Sequence, residues 1–172
     1  GGENIVVKNC QLGAQPTGIT CKVQEVNKLS FINNQVYPDG RENLVLDACN
    51  NCVIEGNNFK SYYNGILVLN GNDNTVNKNI FWLTGAVQNQ LLDHGDDFGI
   101  INVKGNNNMV ASNSLSCEWA YAGAVTVNAV QGTGNVFKNC FVDNLESYRV
   151  FLVNAQTEVS NCVSSDKVSI VE

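Results

Sequence analysis

Charge is scarce in this sequence and positive charge nowhere collects. Charged residues are 15% of 172 positions, ten Lys and Arg against sixteen Asp and Glu, for a formal net charge of −6. Without a basic run there is no stripe to track phosphates, which argues against a nucleic-acid partner. The same shortage, beside 44% hydrophobic residues, excludes a disordered tail and supplies apolar area for one core. No apolar run approaches the ~20 residues that a membrane-spanning helix needs. No segment carries a 3.6-residue apolar stripe longer than about two turns, so long helices are not expected. No secretory leader is visible and the chain opens Gly-Gly rather than Met, so a processed or excised piece of a longer protein is expected.

What is abundant is asparagine, 28 residues. Asparagine is poor in helices and in isolated strands, so the chain needs an architecture that rewards it. A repeat supplies one: an apolar residue, two variable residues, Asn, one variable residue, then an apolar residue. It reads Phe31-x-x-Asn34-x-Val36, Ile54-x-x-Asn57-x-Phe59, Val76-x-x-Asn79-x-Phe81, Val110-x-x-Asn113-x-Leu115 and Val136-x-x-Asn139-x-Phe141. Cys fills the slot at the ends, in Val7-x-x-Cys10-x-Leu12 and Val159-x-x-Cys162, and successive slots lie 24, 23, 22, 34, 26 and 23 residues apart. Short β-branched or aliphatic runs precede most motifs, among them Leu44 to Asp47, Ile66 to Asn70 and Ile100 to Val103.

That period, with short strands and no leucine ladder, predicts an all-β, right-handed parallel β-helix of about seven coils, one domain over residues 1–172. Coils rise ~4.8 Å each, so the repeated Asn stack, and their amides can satisfy backbone groups at a sharp inward turn. No amphipathic helix closes either end. Such an end is an open sheet edge, so more chain or another subunit is expected to cover it.

The seven cysteines are an odd number in a chain too long to depend on disulfides. Cys49-x-x-Cys52 lacks the second pair a zinc site wants and the thioredoxin-like context a redox motif wants. Buried packing thiols are the favoured reading, and neither metal nor cofactor is expected.

The 34-residue spacing marks an insertion at residues 82–97, which holds the only His, His94, with Asp93, Asp96 and Asp97. Loops on a rigid repeat are where such proteins keep their sites, and glycosyl transfer uses two carboxylates in different protonation states. A solvated acidic turn is the bland alternative. Asp96 and Asp97 are therefore the first candidate catalytic pair, with Asp47 next. His94, Arg41 and Asp39 are candidate substrate-positioning groups, the last two from the turn Tyr37-Pro-Asp-Gly-Arg-Glu42. Tyr62, Tyr63, Trp82 and Trp119 are candidate platforms for sugar rings.

Several segments resemble the later coils of bacterial inulin fructotransferases. They are residues 27–59 with the Tyr-Pro-Asp-Gly-Arg turn and Cys49-Asn-Asn-Cys52, then Tyr62-Tyr-Asn-Gly65, Asp96-Asp97 before Gly99-Ile-Ile-Asn-Val, and the Gly105-Asn-Asn-Asn turn. The resemblance implies a secreted, trimeric right-handed β-helix that cleaves inulin by intramolecular fructosyl transfer at sites between subunits. The chain departs from that family in lacking its earlier coils, in carrying Val45 where the family's strand has a Glu, and in placing Asn34 or Asn33 near the partner acid. Two functions stand side by side: a carbohydrate-active or carbohydrate-binding β-helix with an oligosaccharide or polysaccharide partner, and a structural β-helix stalk, tailspike-like segment or filament subunit.

Overall fold

The protein is represented by a computed structural model that describes residues 1–13, 18–37, 42–62, 65–84, 99–117, 125–143, 149–162 and 168–171. All named strands pair in parallel with the equivalent strand one coil away, and no helix occurs among the described residues. The first sheet stacks Val6–Lys8, Ser30–Ile32, Val53–Glu55, Thr75–Asn77, Met109–Ala111, Val136–Lys138 and Glu158–Ser160. The second stacks Gln11–Leu12, Gln35–Val36, Asn58–Ser61, Ile80–Leu83, Ser114–Cys117 and Phe141–Asp143. The third stacks Cys21–Gln24, Leu44–Asp47, Leu67–Asn70, Ile101–Val103, Val125–Ala129, Arg149–Asn154 and Val168–Val171. A two-stranded sheet, Gly2–Glu3 with Val26–Asn27, lies at one end. Among the described residues the second sheet has six strands against seven in the first and third, so the complete coils described are fewer than the seven expected.

Side chains alternate across each strand, which splits every coil into an apolar lining and a variable exterior. Phe31, Ile54, Val76, Val110 and Phe137 line the first sheet, and Val36, Phe59, Phe81, Leu115 and Val142 the second. Leu44, Leu46, Leu67, Leu69, Ile101 and Val103 line the third, all buried. Phe59 and Phe81 stack face to face at 4.9 Å with rings 2° apart. Each such buried side chain contributes roughly 1.5–3 kcal/mol, and together they form one core along the axis.

Polar groups inside the coil gather at two corners. At the first corner, between the first and second sheets, Asn34, Asn57, Asn79 and Asn113 form a buried column. The Oδ1 of Asn79 accepts the backbone N–H of Asn57 at 2.9 Å and its amide at 2.9 Å, and its own Nδ2 donates to Ile54 O at 2.9 Å and Asn113 Oδ1 at 3.0 Å. Asn57 does the same between Asn34 and Asn79. The residue before each slot has positive φ, in the sequence Asn9, Asn33, Gly56, Lys78, Ser112, Asn139 and Asn161. This left-handed kink turns the chain inward, leaving backbone groups that the next side chain satisfies.

The register corrects one motif. Val110 pairs with Phe137, not Val136, so the slot belongs to Cys140, while Asn139 is exposed at φ 53° and Phe141 points outward, half exposed. Val136 and Phe137 are adjacent apolar residues, and it is Phe137 that is buried while Val136 is only half-buried. A second buried column, Asn74, Asn108 and Asn135 with Cys52 at its end, stands at the corner between the third and first sheets. There a Cβ on Gly71 or Gly105 would run into the backbone carbonyl of Cys49 or Gly71 in the coil before.

Replacing Asn79 with Leu orphans the buried Asn57 N–H and Ile54 carbonyl, and is expected to destabilise the protein by roughly 2–4 kcal/mol. Asn139→Gly, at a left-handed exposed position, should change stability by less than about 1 kcal/mol. Urea melts of the two variants check this, and equal losses would mean that the amide column does not join the coils.

Candidate functional site

Of the predicted site residues, Asp47, Trp82 and Tyr62 are described; Asp39, Arg41, Tyr63, Asp96, Asp97, His94 and Trp119 lie outside the described residues. Asp47 ends the strand Leu44–Asp47, whose Leu44 and Leu46 point into the core, so Val45 and Asp47 face outward. In-register pairing puts Gln24 and Asn70 on either side of Asp47, and Lys22 and Val68 on either side of Val45. Gln24 Nε2 donates to Asp47 Oδ2 at 2.9 Å and Asn70 Nδ2 to Oδ1 at 2.8 Å. Lys22 Nζ stands 3.7 Å from Oδ2.

The hydrogen bonds from Gln24 and Asn70, with the Lys22 charge behind them, hold the Asp47 carboxyl below its ordinary value. Asp47 is thus an ionised acceptor. It can receive a hydroxyl or face positive charge, but nothing around it keeps it protonated as a general acid, and its column neighbours are amides rather than a second carboxylate. Asn34, placed by resemblance near the partner acid, is buried with its amide committed between coils. Asn33 is its exposed kink residue.

Trp82 and Tyr62 belong to the second sheet's side of the rod. The strand Ile80–Leu83 includes Trp82 and Leu83, so the insertion expected at residues 82–97 begins only after Leu83. Trp82 faces outward in a column that runs Lys60, Trp82, Ser116 and Asp143 by register, and Tyr37, just past the paired strand Gln35–Val36, stands one coil from Lys60, the Asn43 amide donating to both of their carbonyls. Lys60 Nζ sits 4.3 Å from the Trp82 ring centroid, a cation–π contact. The adjoining outward column runs Gln11, Gln35, Asn58, Ile80, Ser114 and Phe141. Tyr37 Oη donates to Gln35 Oε1 at 2.8 Å, joining the two columns. Tyr37, Tyr62, Ile80 and Phe141 are all exposed. Asp47 and Trp82 therefore lie on different faces.

Tyr37 and Lys60 were missed by reading the sequence, yet both carry a signal. Tyr37, Lys60 and Trp82 each stand three residues after a slot Asn, at Asn34, Asn57 and Asn79. Any residue at that offset lands in the same outward column. The Cys-x-x-Cys pair makes no surface site: Cys49 and Cys52 are buried and reduced, and their thiols face backbone carbonyls of Val23, Asp47, Val26 and Asn50.

Stacked parallel sheets and amide-filled corners are the marks of a β-helix. The family described as right handed beta helix region matches residues 17–170. The chain belongs to the right-handed β-helix family. Among solved structures, this β-helix is similar to DFA-IIIase from Arthrobacter chlorophenolicus A6 without its lid, with a TM-score of 0.83, 22% identity, and coverage of 100% of this chain and 46% of that one. It is also similar to the same enzyme in complex with GF2, at a TM-score of 0.80 and 21% identity over 99% of this chain and 46% of that one. A cysteine-to-alanine mutant of that enzyme in complex with DFA-III gives 0.80 and 20%, over 99% and 48%. The chain spans about half the length of these structures. No curated protein matches it by sequence. At such identities the likeness establishes the fold.

Because the folded Asp47 is more acidic than in the unfolded chain, its contribution is present above the unfolded pKa of ~3.9 and is lost as pH falls through the lower folded value. Asp47→Asn is therefore expected to melt below wild type at pH 7, with the gap closing towards pH 3. A gap that stays constant across that range would mean that the charge of Asp47 does not tie its column together.

Proposed function

We propose that this β-helix binds, and at its turns acts on, a carbohydrate. The observation that carries the reading is the second sheet's outer face. There Tyr37 and Trp82 present aromatic rings two coils apart, ~9.6 Å, with Lys60 over one face of the Trp82 ring, beside a column of amides at Gln11, Gln35 and Asn58. Sugar rings present apolar faces to aromatic side chains and hydroxyls to amides, and this face supplies both within one strand width. The similarity to DFA-IIIase structures, two of them in complex with GF2 and DFA-III, supports the same class of partner.

The finer reading is transfer of a fructosyl unit within a fructan, by a secreted trimer with sites between neighbouring subunits. Glycosyl transfer asks for two acids held at different pKa. Asp96 and Asp97 are the proposed pair, with His94, Arg41 and Asp39 positioning the substrate and Tyr63 and Trp119 extending the aromatic surface; Asp47, ionised on the third sheet's face, is the next candidate. The half-exposed Ile80 and Phe141 favour a further reading of the same face as a subunit contact, which the trimer would also use.

Incubation with inulin, levan and common plant glycans, followed by thin-layer chromatography, is expected to release small saccharides from a fructan. Asp96→Asn and Asp97→Asn should each lower that turnover at least ~10²-fold without moving the melting temperature, and Trp82→Ala should weaken calorimetric binding. Absence of both turnover and binding on every glycan would leave an assembly-only role, for which light scattering should then show self-association.

A further inference from the structure

The buried amide column at the first corner does not end in asparagine. After Asn113 the slot passes to Cys140 and then Cys162, in register through the pairing of Phe137 with Val159. Both are reduced and buried, at 2% and 6% exposure. Where an Asn pair is joined through its amide, these residues meet through Cys140 N–H donating to Cys162 Sγ at 3.4 Å and through their two thiols. Stacked positions one coil apart place their Cα atoms ~4.8 Å apart, inside the roughly 4.4–6.8 Å that a disulfide spans.

We propose that Cys140 and Cys162 are a thiol pair that closes to an intercoil disulfide, a covalent clip replacing the missing amide bonds at this end of the column. Cys162 is the attacking sulfur. Its thiol is brought down to about 7, chiefly because the Cys140 side chain donates to it, while that sharing and burial push Cys140 up. A Cys162 thiolate is thus formed near neutral pH, one coil from the Cys140 thiol in the same column.

A small disulfide such as oxidised glutathione serves as oxidant. The Cys162 thiolate attacks one of its sulfurs, forming a mixed disulfide and releasing one glutathione thiolate, which takes up the Cys140 proton. The Cys140 thiolate then attacks the Cys162 sulfur and releases the second glutathione. Two protein thiols lose two protons and two electrons, and the oxidant is reduced to two thiols.

Native protein incubated with oxidised glutathione, acid-quenched, alkylated and digested should yield a peptide joining Cys140 to Cys162, with the intact mass lower by two hydrogens. The melting temperature should rise by roughly 5–10 °C and return on adding dithiothreitol. Cys140→Ser should stop at a glutathione adduct on Cys162. Peptide maps in which Cys162 stays unmodified while other cysteines react, or in which the wild type keeps glutathione on Cys162 without joining Cys140, overturn the proposal. Both readouts come from wild type, so poor folding of the variant does not decide the matter.

Discussion

A coil that turns inward at φ near +53° must bury backbone N–H and C=O groups that no strand pairs, and the hydrogen bonding of asparagine side chains at those corners is the interaction on which the rest depends. The side chain has to accept from the coil before with its oxygen and donate with its nitrogen, as Asn57, Asn79 and Asn113 do. Asp would bring a charge and no donor to a buried slot, and Gln is a methylene longer than the gap between coils allows. The constraint is steric and polar together, which explains why asparagine, a weak former of strands and helices, is the commonest device here.

Fixing the corners fixes the faces. Once the slot is pinned, the residue one position later points out of the second sheet, the next points in, and the third points out, in each coil whose second-sheet strand is described. Chemistry on the surface therefore comes as columns at constant offsets: amides at Gln11, Gln35 and Asn58, rings and a cation at Tyr37, Trp82 and Lys60. Single residues matter less than what stands above and below them. Asp47 acquires its low pKa from Gln24 and Asn70, 23 residues away on either side.

This is also why the fold was more legible than the site. Asn34, Asn57, Asn79 and Asn113 each sit between an inward apolar residue three before and another two after, so the frame shows in the letters. The frame slipped once, at Val136 and Phe137, where two apolar neighbours offer two registers and only the strand pairing selects Phe137. Asn74, Asn108 and Asn135 escaped notice because their corner lies among glycine and asparagine turns with no apolar flank on one side. The Tyr37, Lys60 and Trp82 column was readable by offset but not by residue type, since a lysine between two rings looks like unrelated surface until the coils are stacked.

A column also limits what its members can do. Neighbours one coil away share nearly one environment, so two acids stacked there would repel and one acid flanked by amides stays ionised, as Asp47 does. Acid–base chemistry with two carboxylates needs the opposite, two groups in unlike surroundings. In a stack of coils, unlike surroundings arise where the repeat is interrupted. The 34-residue interval between Asn79 and Asn113 is such an interruption in the sequence, which is why Asp96 and Asp97 are proposed for that role ahead of any in-register pair on the regular faces.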